Sequence, residues 1–469
     1  MKKLVTFAGF VVLAGVLLSP AASAPSAGRF SVHQEPRGIG NLVAPGDRVT
    51  LVYDAGIKSA TGSVFVRNDL QRTFEQLPLK AEKGPSSTYR ASVPARLVRG
   101  SKLFYYAVMH DKKGHSARVP AADATSSAWI LQTPVVVNLG RHQFDQTRAP
   151  EAVVARARAD QVGWQINDPS CGCGPSFGPQ SFVVGPDRSI WLHDSLNDRM
   201  LVWNPDAPDA IVRTVPLPER SADNDVALGP AGTIYVTGGI GHGASFRNVL
   251  YRRSLTGETL WRARVGKNAQ DTGTFEIGSN SSLRAGPDGT LFLLAGMNSL
   301  PGGEQGWMPV ATRGGSPVSV SNQLRRTNWP YQPVGNGLRL VSEVYTRQID
   351  GAPHEVRVAL VDRQGRVVRA WRVVSRTVIN FRYIPELVGG NPVVVLDATR
   401  GMGTDFKWEY EVLSLSPRGT RARFSLPHAV FGDNILPDVR FGPDGKVYEL
   451  GSSPTTGVVI SRYSLEGRS

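Results

Sequence analysis

Short runs in which apolar and polar residues alternate fill most of the chain, and few stretches carry the three-to-four spacing of a helix. Val49-Thr50-Leu51-Val52-Tyr53 and Gly62-Ser63-Val64-Phe65-Val66 alternate. The segments 89–94 and 100–108 follow, with turns at Pro45-Gly46-Asp47 and Asp111-Lys112-Lys113-Gly114. Strands of this spacing over residues 36–135 predict a two-sheet β-sandwich. The best helical stretch is Pro150–Arg158, where alanine dominates and Pro150 suits a first turn. A loop by composition, Asn167–Pro175, comes after it.

Beyond that loop the chain repeats itself. Phe182-Val-Val-Gly-Pro-Asp-Arg-Ser-Ile-Trp191-Leu recurs at Val226 to Val236, Leu283 to Leu293 and Val439 to Glu449. Gly-Pro pairs end at Pro186, Pro230, Pro287 and Pro443, and the last gap leaves room for two degenerate copies. Hairpins at Leu250–Trp261, Val358–Trp371 and Tyr410–Arg421 mark the second halves of units. The final copy stops where its last strand should begin, which fits a circular closure completed by an earlier strand. Two hairpins per unit predict four-stranded blades, and six units start near residues 177, 223, 279, 336, 382 and 435. The expected fold class is all-β: an N-terminal β-sandwich at 29–140, a linker with a short helix at 141–175, and a six-bladed β-propeller at 176–469.

Composition agrees with this and bounds the compartment. A chain of 469 residues is too long for one small domain, and 41% hydrophobic with 20% charged residues excludes a disordered chain. Fifty glycines and 33 prolines suit many short strands joined by turns. Lys2 and Lys3, the apolar run Leu4–Leu18 and the small residues Ala21–Ala24 read as a secretory signal peptide over 1–24. No later stretch is long enough to span a bilayer, so a soluble, secreted or envelope-associated mature protein is expected. Residues 29–140 hold 15 Lys or Arg against 8 Asp or Glu, whereas 141–469 hold 36 against 31. Such a basic surface suits nucleic acid, anionic glycans or anionic lipid; export makes nucleic acid the least expected partner, and a weakly basic solvated surface is the leading reading of the charge. The partner expected of the whole chain is an extracellular glycan or protein.

The order Tyr89-Arg-Ala-Ser-Val-Pro-Ala with Leu103-Phe-Tyr-Tyr-Ala-Val resembles the closing half of immunoglobulin-like or fibronectin type III modules. Such modules act as spacers or ligand-contacting units; Tyr105, Tyr106 and Trp129 would line a sugar face, or sit in the core. Gly178-Pro-Gln-Ser-Phe182 with Asp194, Asn197 and Arg199 resembles the NHL-type propeller repeat, in which those three residues hold a turn. That resemblance implies architecture and leaves chemistry open.

No nucleophile elbow, zinc helix, phosphate loop or dinucleotide fingerprint occurs. Polar residues cluster where the innermost strands begin: Gln180, Asn224 and Asp225, Asn280, Arg382 and Tyr383, Asn434 and Asp438, with Glu386 nearby. Lactonases of the gluconolactonase and paraoxonase type hold calcium at this level, and similarity to them would make Asn224, Asp225, Asn280, Asn434 and Asp438 metal ligands. The alternative is that these residues solvate a channel mouth. His242, on a Gly-rich loop, together with Arg382 and Tyr383, supplies the residue types of a hydrolase or uronate lyase. His193 and His428 read equally well as packing. Trp307, Trp329 and Tyr331, with Gln180, are candidate ligand contacts on long insertions. Cys171 and Cys173, the only cysteines, read first as a tight disulfide in an oxidising compartment, with a pair of soft metal ligands or a redox role as the alternatives. The leading expectation is a secreted binding protein; the alternative is an extracellular hydrolase or lyase, with calcium as its possible cofactor.

Overall fold

The computed structural model describes residues 30–34, 42–82, 87–120, 124–166, 176, 178–179, 181–217, 225–240, 247–264, 283–286, 288–295, 306–318, 331–335, 337–346, 353–382, 386–401, 405–432 and 438–466. Within them the regular structure is all-β, interrupted by four single-turn 3₁₀ segments. No helix among the described residues is long and apolar enough to cross a membrane.

The N-terminal unit has two sheets. One has the order His33–Gln34, Thr50–Asp54, Thr88–Ser92, Lys80–Ala81; the other runs Leu42–Val43, Ser126–Ile130, Lys102–His110, Thr61–Asn68, Glu75–Pro78. Alternation in Lys102–His110 sends Leu103, Tyr105, Ala107 and Met109 into a core shared with Leu51, Tyr53, Val64 and Val66. Tyr105 is therefore core. Tyr106 faces outward, with Phe65 stacked on it at 4.8 Å and the Arg118 guanidinium at 4.2 Å.

Six further sheets follow in chain order, each with its own strands joined up and down. Sheet I comprises Ser181–Val184, Ile190–Asp194, Arg199–Trp203 and Ile211–Pro216; sheet II comprises Val226–Leu228, Ile234–Ile240, Arg247–Arg253 and Thr259–Arg264. Sheet III has Leu283–Ala285, Leu291–Ala295 and Gly306–Ala311. Sheet IV has Tyr331–Gly335, Leu338–Thr346, Pro353–Val361 and Val367–Ser375. Sheet V has Val378–Phe381 and Glu386–Val388 on Asn391–Arg400, then Lys407–Ser416 and Gly419–Pro427. Sheet VI has Val439–Phe441, Val447–Ser453 and Gly457–Tyr463. Apolar cores lie between sheets I and II, II and III, IV and V, V and VI, and VI and I. This order of antiparallel sheets, with the sixth packed on the first, fits a β-propeller.

The sequence repeat has a local physical cause. In four sheets the first turn closes the same way, with Gly185 N–H on Ser189 O, Gly229 on Thr233, Gly286 on Thr290 and Gly442 on Lys446, at 2.7–2.9 Å. At Gly229, Gly286 and Gly442 a Cβ would come within 2.5–2.7 Å of the rings of Tyr235, Phe292 and Tyr448. The repeated glycine thus makes room for the repeated aromatic. The Asp194, Asn197 and Arg199 turn is held as its spacing predicts: the Asn197 amide and Arg199 Nε both donate to Asp194 Oδ2, at 2.8 and 2.7 Å.

The segment 135–157 departs from expectation. Val135–Gly140 adds to sheet IV in parallel beside Val367–Ser375, and Ala152–Ala157 adds to sheet VI antiparallel to Gly457–Tyr463. The stretch expected to be helical is this second strand. Nine residues are marginal as an isolated helix, and the edge of Gly457–Tyr463 supplies a ladder instead. The fourth strand of sheet VI thus comes from upstream.

The N-terminal unit packs against sheet IV. Leu42, Ala44 and Leu131 share a buried cluster with Val341, Ala359, Val361 and Ala370. Arg357 is fully buried there, with both Nη atoms on Asp47, Nη1 also on Leu42 O at 3.0 Å, and Nε on Glu355 at 2.7 Å. Trp129 Nε1 donates to Gly365 O at 3.1 Å, so this tryptophan belongs to the junction.

Candidate functional site

The first strands of sheets VI, I, II and III approach one another in turn, and the polar residues on them meet. Asp225, just before Val226–Leu228, is buried and accepts four donors. These are the Ser181 hydroxyl at 2.5 Å, Val226 N–H at 2.9 Å, Leu283 N–H at 3.0 Å on the other oxygen, and the Arg440 guanidinium. The donors come from sheets I, II, III and VI. Arg284 in sheet III pairs with Glu386 in sheet V at 2.9 Å. Burial and the neighbouring Arg284 lower the Arg440 pKa to about 10, against the pull of Asp225 and Glu386.

A second group lies between sheets V and VI. The first strand of sheet V is interrupted after Phe381, and Arg382 follows, its N–H on Val395 O at 3.0 Å. The Arg382 guanidinium lies 5.3 Å from the Trp408 ring centre and 5.7 Å from that of Tyr410, with Nε 3.7 Å from Asp438. Tyr410 donates its hydroxyl to Asp438 Oδ2 at 2.7 Å. His428 stacks on Trp408 at 3.8 Å and meets Tyr410 edge-on at 5.5 Å. Glu449 accepts the Tyr463 hydroxyl at 2.6 Å, while its other oxygen has no hydrogen-bond partner among the described residues.

Burial sets the protonation states here. It lifts Asp438 to about 6 despite Arg382, and lifts Glu449 to about 8 despite the Tyr463 hydrogen bond. It also raises Asp397, whose Oδ1 accepts the Trp408 indole N–H at 2.9 Å. Tyr410 is raised well above its ordinary value by the same cause. Burial together with Arg382 depresses His428 to about 4, so it is neutral at physiological pH. Burial also opposes the charge of Arg382, but Asp438, Tyr410 and Asp397 hold its pKa above the usual value.

Of the residues expected from sequence, Asp225, Arg382, Asp438 and Glu386 are brought together around the first strands. Trp307 and Tyr331 lie in strands of sheets III and IV, and their side chains fall outside the described residues. His242, Tyr383, Trp329, Gln180, Asn224, Asn280, Asn434, Cys171 and Cys173 lie outside the described residues. Sequence reasoning missed Arg440, Arg284, Tyr410, Trp408 and Glu449, and it set His428 aside as packing. The signal was present for Arg440, a charged residue within an otherwise repeated core strand. Among the described residues no group of three or more His, Cys, Asp or Glu side chains could hold a metal.

No protein-family model and no curated protein matches the chain. Among solved structures it is similar to virginiamycin B lyase from Staphylococcus aureus, at 10% identity and a TM-score of 0.28, covering 77% of this chain and 91% of that one. It is also similar to a structure described for host cell surface retention of a bacterial ice-binding adhesin, at 10% identity and a TM-score of 0.16, covering 92% of this chain and 95% of that one. Scores this low bear on neither the fold nor the function of this chain.

Proposed function

We propose that sheets I to VI are the blades of a six-bladed β-propeller of NHL-like repeats, and that the docked N-terminal unit is an immunoglobulin or fibronectin III-like module. In this reading the chain is a secreted binding protein that recognises an extracellular glycan or protein. The observation that carries it is the state of Asp225. Both its oxygens are occupied by protein donors from four sheets, which favours a structural hub over a calcium ligand. A scaffold whose inner acids serve to join its sheets leaves recognition to its loops and strand ends, where Trp307 and Tyr331, at the starts of strands in sheets III and IV, and Trp329 are the proposed contacts. The test is a glycan array probed with the secreted chain, followed by product analysis on every glycan that binds. Binding without bond cleavage supports the reading, and turnover of a bound glycan overturns it.

A second reading, an extracellular hydrolase or polysaccharide lyase, is favoured by one observation. Arg382 sits against Tyr410, His428 and Asp438. A uronate lyase needs a cation to neutralise the carboxylate and a base for the α-proton. Arg382 supplies the first and neutral His428 the second, while Tyr410 is engaged as a donor to Asp438. Formation of an unsaturated, ultraviolet-absorbing uronate, lost in Arg382→Ala and His428→Ala, would establish this reading. A thermal-shift titration with calcium and a chelator separately tests a metal role for Asn224, Asn280 and Asn434.

A further inference from the structure

Between its two edge strands, the segment 141–151 crosses the outer side of sheet V and leaves a groove of about 540 Å3. It is lined by Arg141, Gln143, Gln146 and Arg148 from the crossing segment and by Arg423 and Phe424 from Gly419–Pro427. Its size is that of a small-ligand site. The groove shares no residue with the Arg382 cluster and does not depend on the function proposed above.

Its charge is unbalanced. Glu411, the one carboxylate in the lining, is consumed: Oε2 meets His142 Nδ1 at 2.6 Å and Oε1 accepts Arg423 Nε at 2.5 Å. His142 is clamped on its other side by Glu409, 2.8 Å from Nε2. Arg148 lies with its guanidinium 4.2 Å from the Phe424 ring centre and one Nη on Ser464 O at 2.8 Å, which leaves further N–H groups of its fork. No carboxylate pairs with Arg141 or Arg148 among the described residues, and Arg141, Gln143 and Gln146 make no hydrogen bond to them. Two guanidinium groups and two amides with open donors thus flank one groove.

We propose that this groove binds a small sugar acid, its oxyanion held by Arg141 and Arg148 and its hydroxyls by the amides of Gln143 and Gln146. Planar guanidinium forks match carboxylate and sulfate oxygens alike, so the anion is a uronate carboxylate or a sugar sulfate. The aromatic Phe424, covered by Arg148, fixes the fork in place.

The test is calorimetric titration of the full chain at constant ionic strength with glucuronic acid, glucose 6-sulfate, sodium sulfate and glucose. Saturable heat with either sugar acid, and none with glucose, is expected; which acid binds identifies the source of the oxyanion. Arg141→Ala and the double variant Gln143→Ala/Gln146→Ala should each weaken binding at least tenfold. All three residues are exposed, and an unchanged melting temperature verifies that the variants fold. Inorganic sulfate binding as tightly as the sugar acids would overturn the sugar part of the proposal. Binding of glucose, no binding of either acid at millimolar concentration, or unchanged affinity in Arg141→Ala would overturn it entirely.

Discussion

Asp225 in sheet II and Arg440 in sheet VI form a buried ion pair across 215 residues of sequence, and the pair ties together strands that share no ladder. Both side chains are out of water, so the value of the contact lies in mutual neutralisation together with the Ser181, Val226 and Leu283 donors. Removing one partner leaves a buried charge uncompensated. Asp225→Ala should lower unfolding free energy by about 3–5 kcal/mol. The double variant Asp225→Ala/Arg440→Met should lose less than the sum of the single losses, because its second substitution removes the stranded charge. Urea unfolding of the four proteins measures both.

Arg357 and Asp47 make the corresponding pair at the junction with the N-terminal unit. Arg357 is fully buried and faces both Asp47 and Glu355. Asp47→Ala removes the contribution of the N-terminal unit. The expected cost is again about 3–5 kcal/mol, and calorimetry should show one transition for the parent and two for the variant as the units uncouple.

His142, held between Glu409 and Glu411, gives the crossing segment a pH dependence. Burial works against its charge, but the two carboxylates raise its pKa above the ordinary 6.5 of a histidine. A proton held more tightly in the fold than in the unfolded chain stabilises fully below 6.5, and that stability is lost as pH rises through the raised value. Glu411 is opposite in sense. Burial raises it, but His142 and Arg423 outweigh burial and lower its pKa, so its contribution is lost as pH falls through the depressed value. Melting temperature should therefore decline from pH 6.5 upward, and His142→Asn should flatten that decline while lowering stability at pH 6.

Glu449 contributes a separate slope. Its folded pKa of about 8 lies above the ordinary 4.5 of a glutamate, so its contribution to stability is greatest below 4.5 and falls as pH rises toward and through 8. Glu449→Gln keeps the shape and an acceptor for Tyr463 without the titrating proton. The variant should match the parent at pH 5 and exceed it in unfolding free energy at pH 9, as read from urea midpoints.

Gly457 tests the closure of sheet VI. It has φ of +89°, and a Cβ there would overlap the carbonyl oxygen of Ala157 on the strand from upstream. Gly457→Ala should cost about 1–3 kcal/mol and increase amide exchange in Ala152–Ala157 ahead of the rest of sheet VI.

Much of the fold is legible in the sequence because strand alternation and turn chemistry are local. The Gly-Pro-Asp-Gly turns, the aromatic six residues after each glycine, and the Asp194 turn are all written within a dozen residues. The fate of Pro150–Arg158 is not, since its alanines favour a helix and only the open edge of sheet VI makes it a strand. The candidate site divides similarly. Asp225, Arg382 and Asp438 stand out as polar residues at strand starts, but whether such a residue faces water, a ligand or another charge depends on its partners. Those partners, Arg440, Tyr410 and His428, come from other sheets.

By itself the sequence determined the all-β character and the repeating unit, because each follows from backbone sterics and side-chain periodicity over short spans. Tertiary structure alone decided that Asp225 is an internal tie, that Arg357 locks the N-terminal unit in place, and that His142 lies between two carboxylates. Those outcomes depend on which charges are brought together as water is excluded, and the energy of a buried charge is set by neighbours hundreds of residues away.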